Sequence, residues 1–239
     1  MKAWVLARRE WRSAFETPVA YVFLALFPAA AALFFFVLGG FFAQRSASLR
    51  GFFAVLPSLL IFAAPTVTMR LWSEERRGGT EELLRTYPFR VRDLVLGKFL
   101  AAFGLLAAAL SLTAGVPLTV AWLGEPDPGP IWGGYLASLL LGAACVAIGL
   151  FFSACTRNQI VAWILGVMAL VFFNGIHAAA TATAVPTWLG RLLLELDFGT
   201  HFRSIVWGVV DLRDVLFYVA ATVWFLCLNG LVLEQRRWP

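Results

Sequence analysis

A chain of 239 residues that is 61% apolar and only 14% charged departs from soluble domains, which run about 45–50% apolar and about 25% charged. A mean hydropathy of +0.81, 22 Phe and 10 Trp fit a protein whose outer surface meets lipid rather than water. The net charge of +5 does not point to nucleic acid, because the basic residues cluster at the edges of apolar runs and not along one polar face.

Residues 2–16 come first. Trp4, Ala7, Trp11, Ala14 and Phe15 recur every three to four positions, and Lys2, Arg8, Arg9, Arg12 and Glu16 fall mostly opposite. This predicts an amphipathic helix in the membrane interface, with Trp4, Arg8, Trp11, Arg12 and Phe15 at headgroup depth. An ordinary basic flank is the alternative. The first 16 residues carry six charges and no short apolar stretch that ends in a cleavage site, so no cleavable signal peptide is expected. Pro18 then permits a sharp turn.

A helix needs roughly 20 apolar residues to cross a bilayer. Six uncharged runs reach about that length: 17–44, 51–69, 99–124, 128–156, 158–190 and 215–233. They predict spans at 18–43, 51–73, 94–122, 131–155, 159–182 and 214–234. The fifth run is too long for one span and contains Pro186. Its continuation, 184–212, is read as an outer segment. There Trp188, Leu189, Leu192, Leu193 and Leu196 repeat at helical spacing between Arg191, Glu195 and Asp197, which predicts one short amphipathic helix. Pro28, Pro57, Pro65 and Pro117 interrupt spans one to three, as hinges or fixed bends. Gly134, Ser138 and Gly142 form a small-residue stripe in span four, for packing within the chain or between chains.

Basic residues set the orientation. Residues 1–16, 70–98, 157 and 234–239 hold fourteen of the nineteen Lys and Arg. The opposite links hold Arg45, Arg50, Arg191, Arg203 and Arg213. Both termini are therefore expected in the cytoplasm. The expected fold is an all-α polytopic membrane protein, one transmembrane domain over 1–239, with six transmembrane helices and an N-terminal interfacial helix.

The longest polar stretch joins spans two and three, with its loop at 74–92. Glu74, Glu75, Arg76 and Arg77 continue the second helix, and Gly78-Gly79 stops it. Thr80 is a good N-cap, Glu81 and Glu82 occupy a first turn where the helix dipole favours acid, Leu83 and Leu84 supply an apolar knob, and Pro88 closes the element. A helix this short is marginal alone and needs a surface to dock on, either its own bundle or a cytoplasmic partner.

The stretch MRLWSEERRGGTEELLRTYPFRVRDLVLGKFLA resembles the corresponding loop of ABC-2-type transporter permeases. Glu74, Glu75, Gly79, Thr80, Glu81, Leu83, Leu84, Pro88, Gly97 and Lys98 match that loop position by position. ETPVAYVF at 16–23 and the pattern of His201, Phe202, Gly208, Asp211 and Asp214 resemble the family branch associated with gliding motility. The likeness covers nearly the whole chain. It implies a half-transporter of the bacterial inner membrane, paired with a second permease chain, identical or related, and with two ABC ATPase subunits. Glu74, Glu75, Arg76, Thr80, Glu81, Glu82, Leu83 and Leu84 would form the coupling helix seated on the ATPase. ATP and Mg would be bound on that partner and no cofactor on this chain. Export is the implied direction. A non-transporting anchor or scaffold of an envelope or motility complex is the alternative.

The chain itself is not expected to be an enzyme. Gly97-Lys98 is followed by Phe99, and Arg92 stands where a P-loop needs its first Gly. His177 and His201 are the only histidines, and Asp197 and His201, four apart, have no further ligand nearby in sequence. No metal is expected. Cys145, Cys155 and Cys227 fall in apolar runs and read as packing residues. Asn174, the most polar residue of span five, is either a hydrogen-bonding partner for another helix or a lining residue of the substrate path.

Overall fold

The computed structural model describes residues 2–44, 47–79, 90–180, 187–208 and 211–235, and every regular element among them is helical. Helix α1 (Lys2–Glu16) ends at Thr17, whose backbone is extended and whose hydroxyl donates to Ala14 O at 2.9 Å. Pro18 then starts α2 (Pro18–Leu33), in the first-turn position where a missing N–H costs nothing. A π-helical turn, Phe34–Leu38, extends α2 as far as Gly39. Gly40, at φ +60°, redirects the chain into the short α3 (Phe41–Gln44).

Helix α4 (Arg50–Arg77) runs 28 residues, through Pro57 and Pro65, and ends at Gly78 and the left-handed Gly79. The span expected at 94–122 is divided between two helices, α5 (Val91–Leu112) and α6 (Gly115–Leu123). The break has a cause. Pro117 cannot donate to the carbonyl four residues back, that of Thr113, and its ring crowds it. Val116 N–H bonds Thr113 O instead, and the Thr113 hydroxyl meets Tyr135 Oη at 3.1 Å.

Helix α7 (Pro128–Cys155) has Asp127 as its cap, accepting from Gly129 N–H at 3.0 Å. Helix α8 (Gln159–Ala180) follows. The outer segment holds two helices where the sequence reading predicted one: α9 (Thr187–Glu195) and α10 (Phe198–Val206). Asp197 separates them by capping α10, its Oδ2 accepting from Thr200 N–H and Oγ1. Helix α11 (Leu212–Gln235) closes the chain.

Six of these helical stretches are long and apolar enough to cross a membrane. Their alternation puts residues 18, 77, 91, 155, 159 and 235 at one end, with α1, and residues 44, 47–50, 123–128, 180, 187–208 and 211–212 at the other. These are called the termini end and the far end below. Helix α7 is the axis, packed by α4, α5, α8, α10 and α11. Its small residues make that possible. A Cβ on Gly134 would fall 2.4 Å from Phe53, one on Gly142 2.5 Å from Leu106, and one on Gly149 2.3 Å from the Thr68 hydroxyl. The stripe of span four therefore serves packing within this chain. Cys145 is buried on the same axis, whereas Cys227 is exposed on α11.

Candidate functional site

Successive residues on a helix point about 100° apart, so three neighbours at a helix end can reach three different elements. The last turn of α4 does this. Glu74 Oε1 accepts from Gln159 Nε2 of α8 at 2.7 Å. Glu75 Oε1 meets Lys98 Nζ of α5 at 2.6 Å. Arg76 Nη1 donates to the carbonyl of Ala154, in the last turn of α7, at 2.6 Å, where the helix dipole favours a cation. One turn earlier, the Ser153 hydroxyl of α7 donates to Met69 O at 3.0 Å and accepts from Trp72 N–H at 3.2 Å.

Lys98 is the centre of this junction. Its side chain is 1% exposed, and a lysine is almost never that deep unless paired. Besides Glu75, its ammonium donates to Leu71 O at 2.7 Å, lies 3.4 Å from Glu10 of α1 and sits 4.9 Å from the centre of the Trp72 ring. Two carboxylates, a carbonyl and an aromatic face replace the water it has lost. Three elements, α1, α4 and α5, meet on one charge. Lys98 stood in the loop motif but not among the candidate site residues. Its signal was a lysine seven positions inside an apolar helix, with acids at both flanking elements.

Thr80, Glu81, Glu82, Leu83 and Leu84 lie outside the described residues. The described part of the coupling set, Glu74, Glu75 and Arg76, faces the bundle itself.

The interfacial-helix residues divide between two faces of α1. Leu6 and Ala7 are buried against α5. A Cβ on Gly97 would fall 2.7 Å from Leu6 Cδ2, and one on Gly104 2.0 Å from Trp11 Cζ3, so two glycines seven apart on α5 form the seat of α1. Leu6, absent from the predicted apolar stripe, is its largest buried anchor. Trp4, Arg8, Trp11 and Arg12 are exposed, and Phe15 stacks on Trp11 with ring centres 6.0 Å apart. Together with Leu100 and Phe103 of α5 they line a groove of 880 Å³, apolar at its floor and basic at its rim.

A second polar cluster stands at the far end. Both ring nitrogens of His201 face oxygens: Nδ1 lies 2.6 Å from Asp214 Oδ1 and Nε2 3.1 Å from Glu195 O. The two contacts together fix the orientation of the ring between α9 and α11. The imidazole stacks on Phe217 at 4.0 Å, and Tyr218 donates to Phe198 O at 2.7 Å. Arg213 pairs with Glu195 on the surface. These bonds fasten α9 and α10 to the first turns of α11. His201 thus pairs with Asp214 and not with Asp197, four residues away in sequence. Among the described residues no group of acids, His and Cys is arranged to hold a metal ion.

Asn174 is half-buried in α8. Its Nδ2 donates to Leu170 O of its own helix at 2.9 Å, and its Oδ1 is buried without a hydrogen-bond partner among the described residues. His177, three residues on, lies 3.5 Å from Arg203. The structure does not bring Asn174 to the junction around Lys98.

In comparisons with known proteins, the family described as ABC-2 family transporter protein matches residues 4–236 of the chain. No curated protein matches it.

Proposed function

From the premise that this chain belongs to the ABC-2 family of transporter proteins, as a multi-pass membrane component, we propose that it is the permease half of an ATP-driven exporter. It forms the substrate path with a second permease chain and is driven by two separate ATPase subunits that bind ATP and Mg. Residues 80–89, between α4 and α5, supply the contact with the ATPase through Glu81, Glu82, Leu83 and Leu84, and the termini end faces the cytoplasm of a bacterial inner membrane. The pattern around His201 and Asp214 supports placing the chain near the gliding-motility branch.

One observation carries the coupling reading. The end of α4, from which the loop departs, is tied by three consecutive side chains to α8, α5 and α7. A force applied to the loop is then felt by most of the bundle at once, as an alternating-access mechanism requires. Glu74, Glu75 and Arg76 act in this reading as the transmission, while the knob at Leu83 and Leu84 makes the contact.

The test is co-purification of the ATPase with a Leu83→Asp/Leu84→Asp variant. Loss of the ATPase with an intact, monodisperse permease is expected. Retention of the ATPase refutes the contact. A wild-type complex whose ATPase activity responds to no transported compound would favour the anchor or scaffold reading.

A further inference from the structure

A cavity of 430 Å³ opens at the termini end between α1, α2, α4 and α5, within the range of small-ligand pockets, about 300–1,000 Å³. Its construction is regular. Helix α1 contributes Arg9, Glu10 and Ser13, with Thr17 just beyond its end, and α4 contributes Val67, Arg70 and Glu74, each helical set along one face. Ala101 and Ala102 of α5 leave the floor open, and Phe23 and Leu105 make the deeper part apolar.

The charges in it are not equivalent. Lys98 is already neutralised by Glu75 and Glu10. Arg9 and Arg70 have no ion pair among the described residues, and they face the cavity from opposite walls together with Glu74. The nine residues from Thr66 to Glu74 span about 12 Å along α4, so the cavity is charged at its mouth and apolar one helical turn or two below. Two free guanidiniums fit a phosphate, the carboxylate beside them fits an ammonium, and the apolar floor fits the start of an acyl chain.

We propose that this cavity is a binding site for a membrane phospholipid with a zwitterionic ammonium-phosphate headgroup, the phosphate held between Arg9 and Arg70. The site joins the interfacial helix to spans one, two and three, and the bound lipid completes a wall that protein atoms leave open. It stands whether or not the loop at 80–89 contacts an ATPase.

The test uses the full chain in nanodiscs containing phosphatidylethanolamine with a photoactivatable diazirine on its acyl chain. Cross-links are expected on residues 17–23, 66–71 and 101–105. An Arg9→Gln/Arg70→Gln variant is expected to lower this labelling about tenfold or more, a loss of at least about 1.4 kcal/mol. Arg8→Gln/Arg12→Gln, on α1 but outside the lining of this cavity, keeps labelling within about twofold. Ser13→Trp, which fills the mouth from an exposed position and keeps both arginines, is expected to lower labelling as well and covers a failure of the double variant to fold. Free glycerophosphoethanolamine does not compete if the acyl chain is part of the ligand. Labelling that survives both Arg9→Gln/Arg70→Gln and Ser13→Trp, that falls equally with Arg8→Gln/Arg12→Gln, or that the free headgroup displaces, overturns the proposal.

Discussion

Replacing Glu75 by Gln isolates the energetics of the buried lysine. The change keeps the shape of the side chain and removes one charge. Lys98, 1% exposed, would then retain only Glu10 as a counter-charge, at 3.4 Å instead of the 2.6 Å of the lost partner. Breaking one side of a buried ion pair costs about 3–5 kcal/mol. The two glutamates are themselves about one-fifth exposed, so water screens part of the loss and about 2–3 kcal/mol is the expected cost here. For a chain of this size that lowers the midpoint of thermal unfolding by roughly 4–12 °C. Lys98→Met is expected to cost less, because it removes the charge that needs solvating and keeps the bulk of the chain. The double variant should be more stable than the sum of the two single effects, by about 1–3 kcal/mol of coupling. The assay is detergent thermostability of all four proteins, read by fluorescence-detected size exclusion. Midpoints that simply add, or a Glu75→Gln shift under about 2 °C, would refute the claim that Lys98 depends on Glu75.

Three further outcomes follow from the packing. Gly104→Leu should push Trp11 off α5 and release α1, seen as faster hydrogen exchange in residues 2–16 at a cost of about 1–3 kcal/mol; unchanged exchange would show that Gly104 is not the seat of α1. Gly142→Leu should destabilise the isolated bundle by a similar amount, about 1–3 kcal/mol, since its Cβ meets Leu106 of the same chain; a variant of normal thermostability that fails only to dimerise would assign the stripe to an interface instead. Asp214→Asn should loosen α9 and α10 by about 2–4 kcal/mol through loss of the buried His201 pairing, read as protease sensitivity confined to residues 187–208, and uniform resistance would contradict it.

The six spans were legible because each is a long uncharged run, and hydrocarbon admits no other backbone solution at that length. The turn at Pro18 and the end of α4 at Gly78-Gly79 were legible for the same local reason, the residues themselves. What escaped was set by partners distant in sequence. Lys98 looks like the basic flank of a span until Glu10 and Glu75, 88 and 23 positions away, are folded against it. Leu6 lies off the best apolar stripe of α1 and is nevertheless its anchor, because two glycines on α5 dictate which face docks. The second far-end helix was read as part of an outer segment with one short helix, although Asp197 preceding Thr200 is a cap signal of the ordinary kind. The break before Pro117 was visible as a proline but not as a split, since α4 carries two prolines without dividing.

The crowding of α7 has a consequence for where such a chain can vary. Its apolar stretch is two-thirds occupied by neighbouring helices (67%), against 22%, 22% and 11% for spans one, five and six. A new side chain on α7 must displace a helix, whereas one on α2, α8 or α11 displaces only lipid or another subunit. Variation that spares the fold is therefore concentrated at the periphery, and the central helix works as a fixed keel.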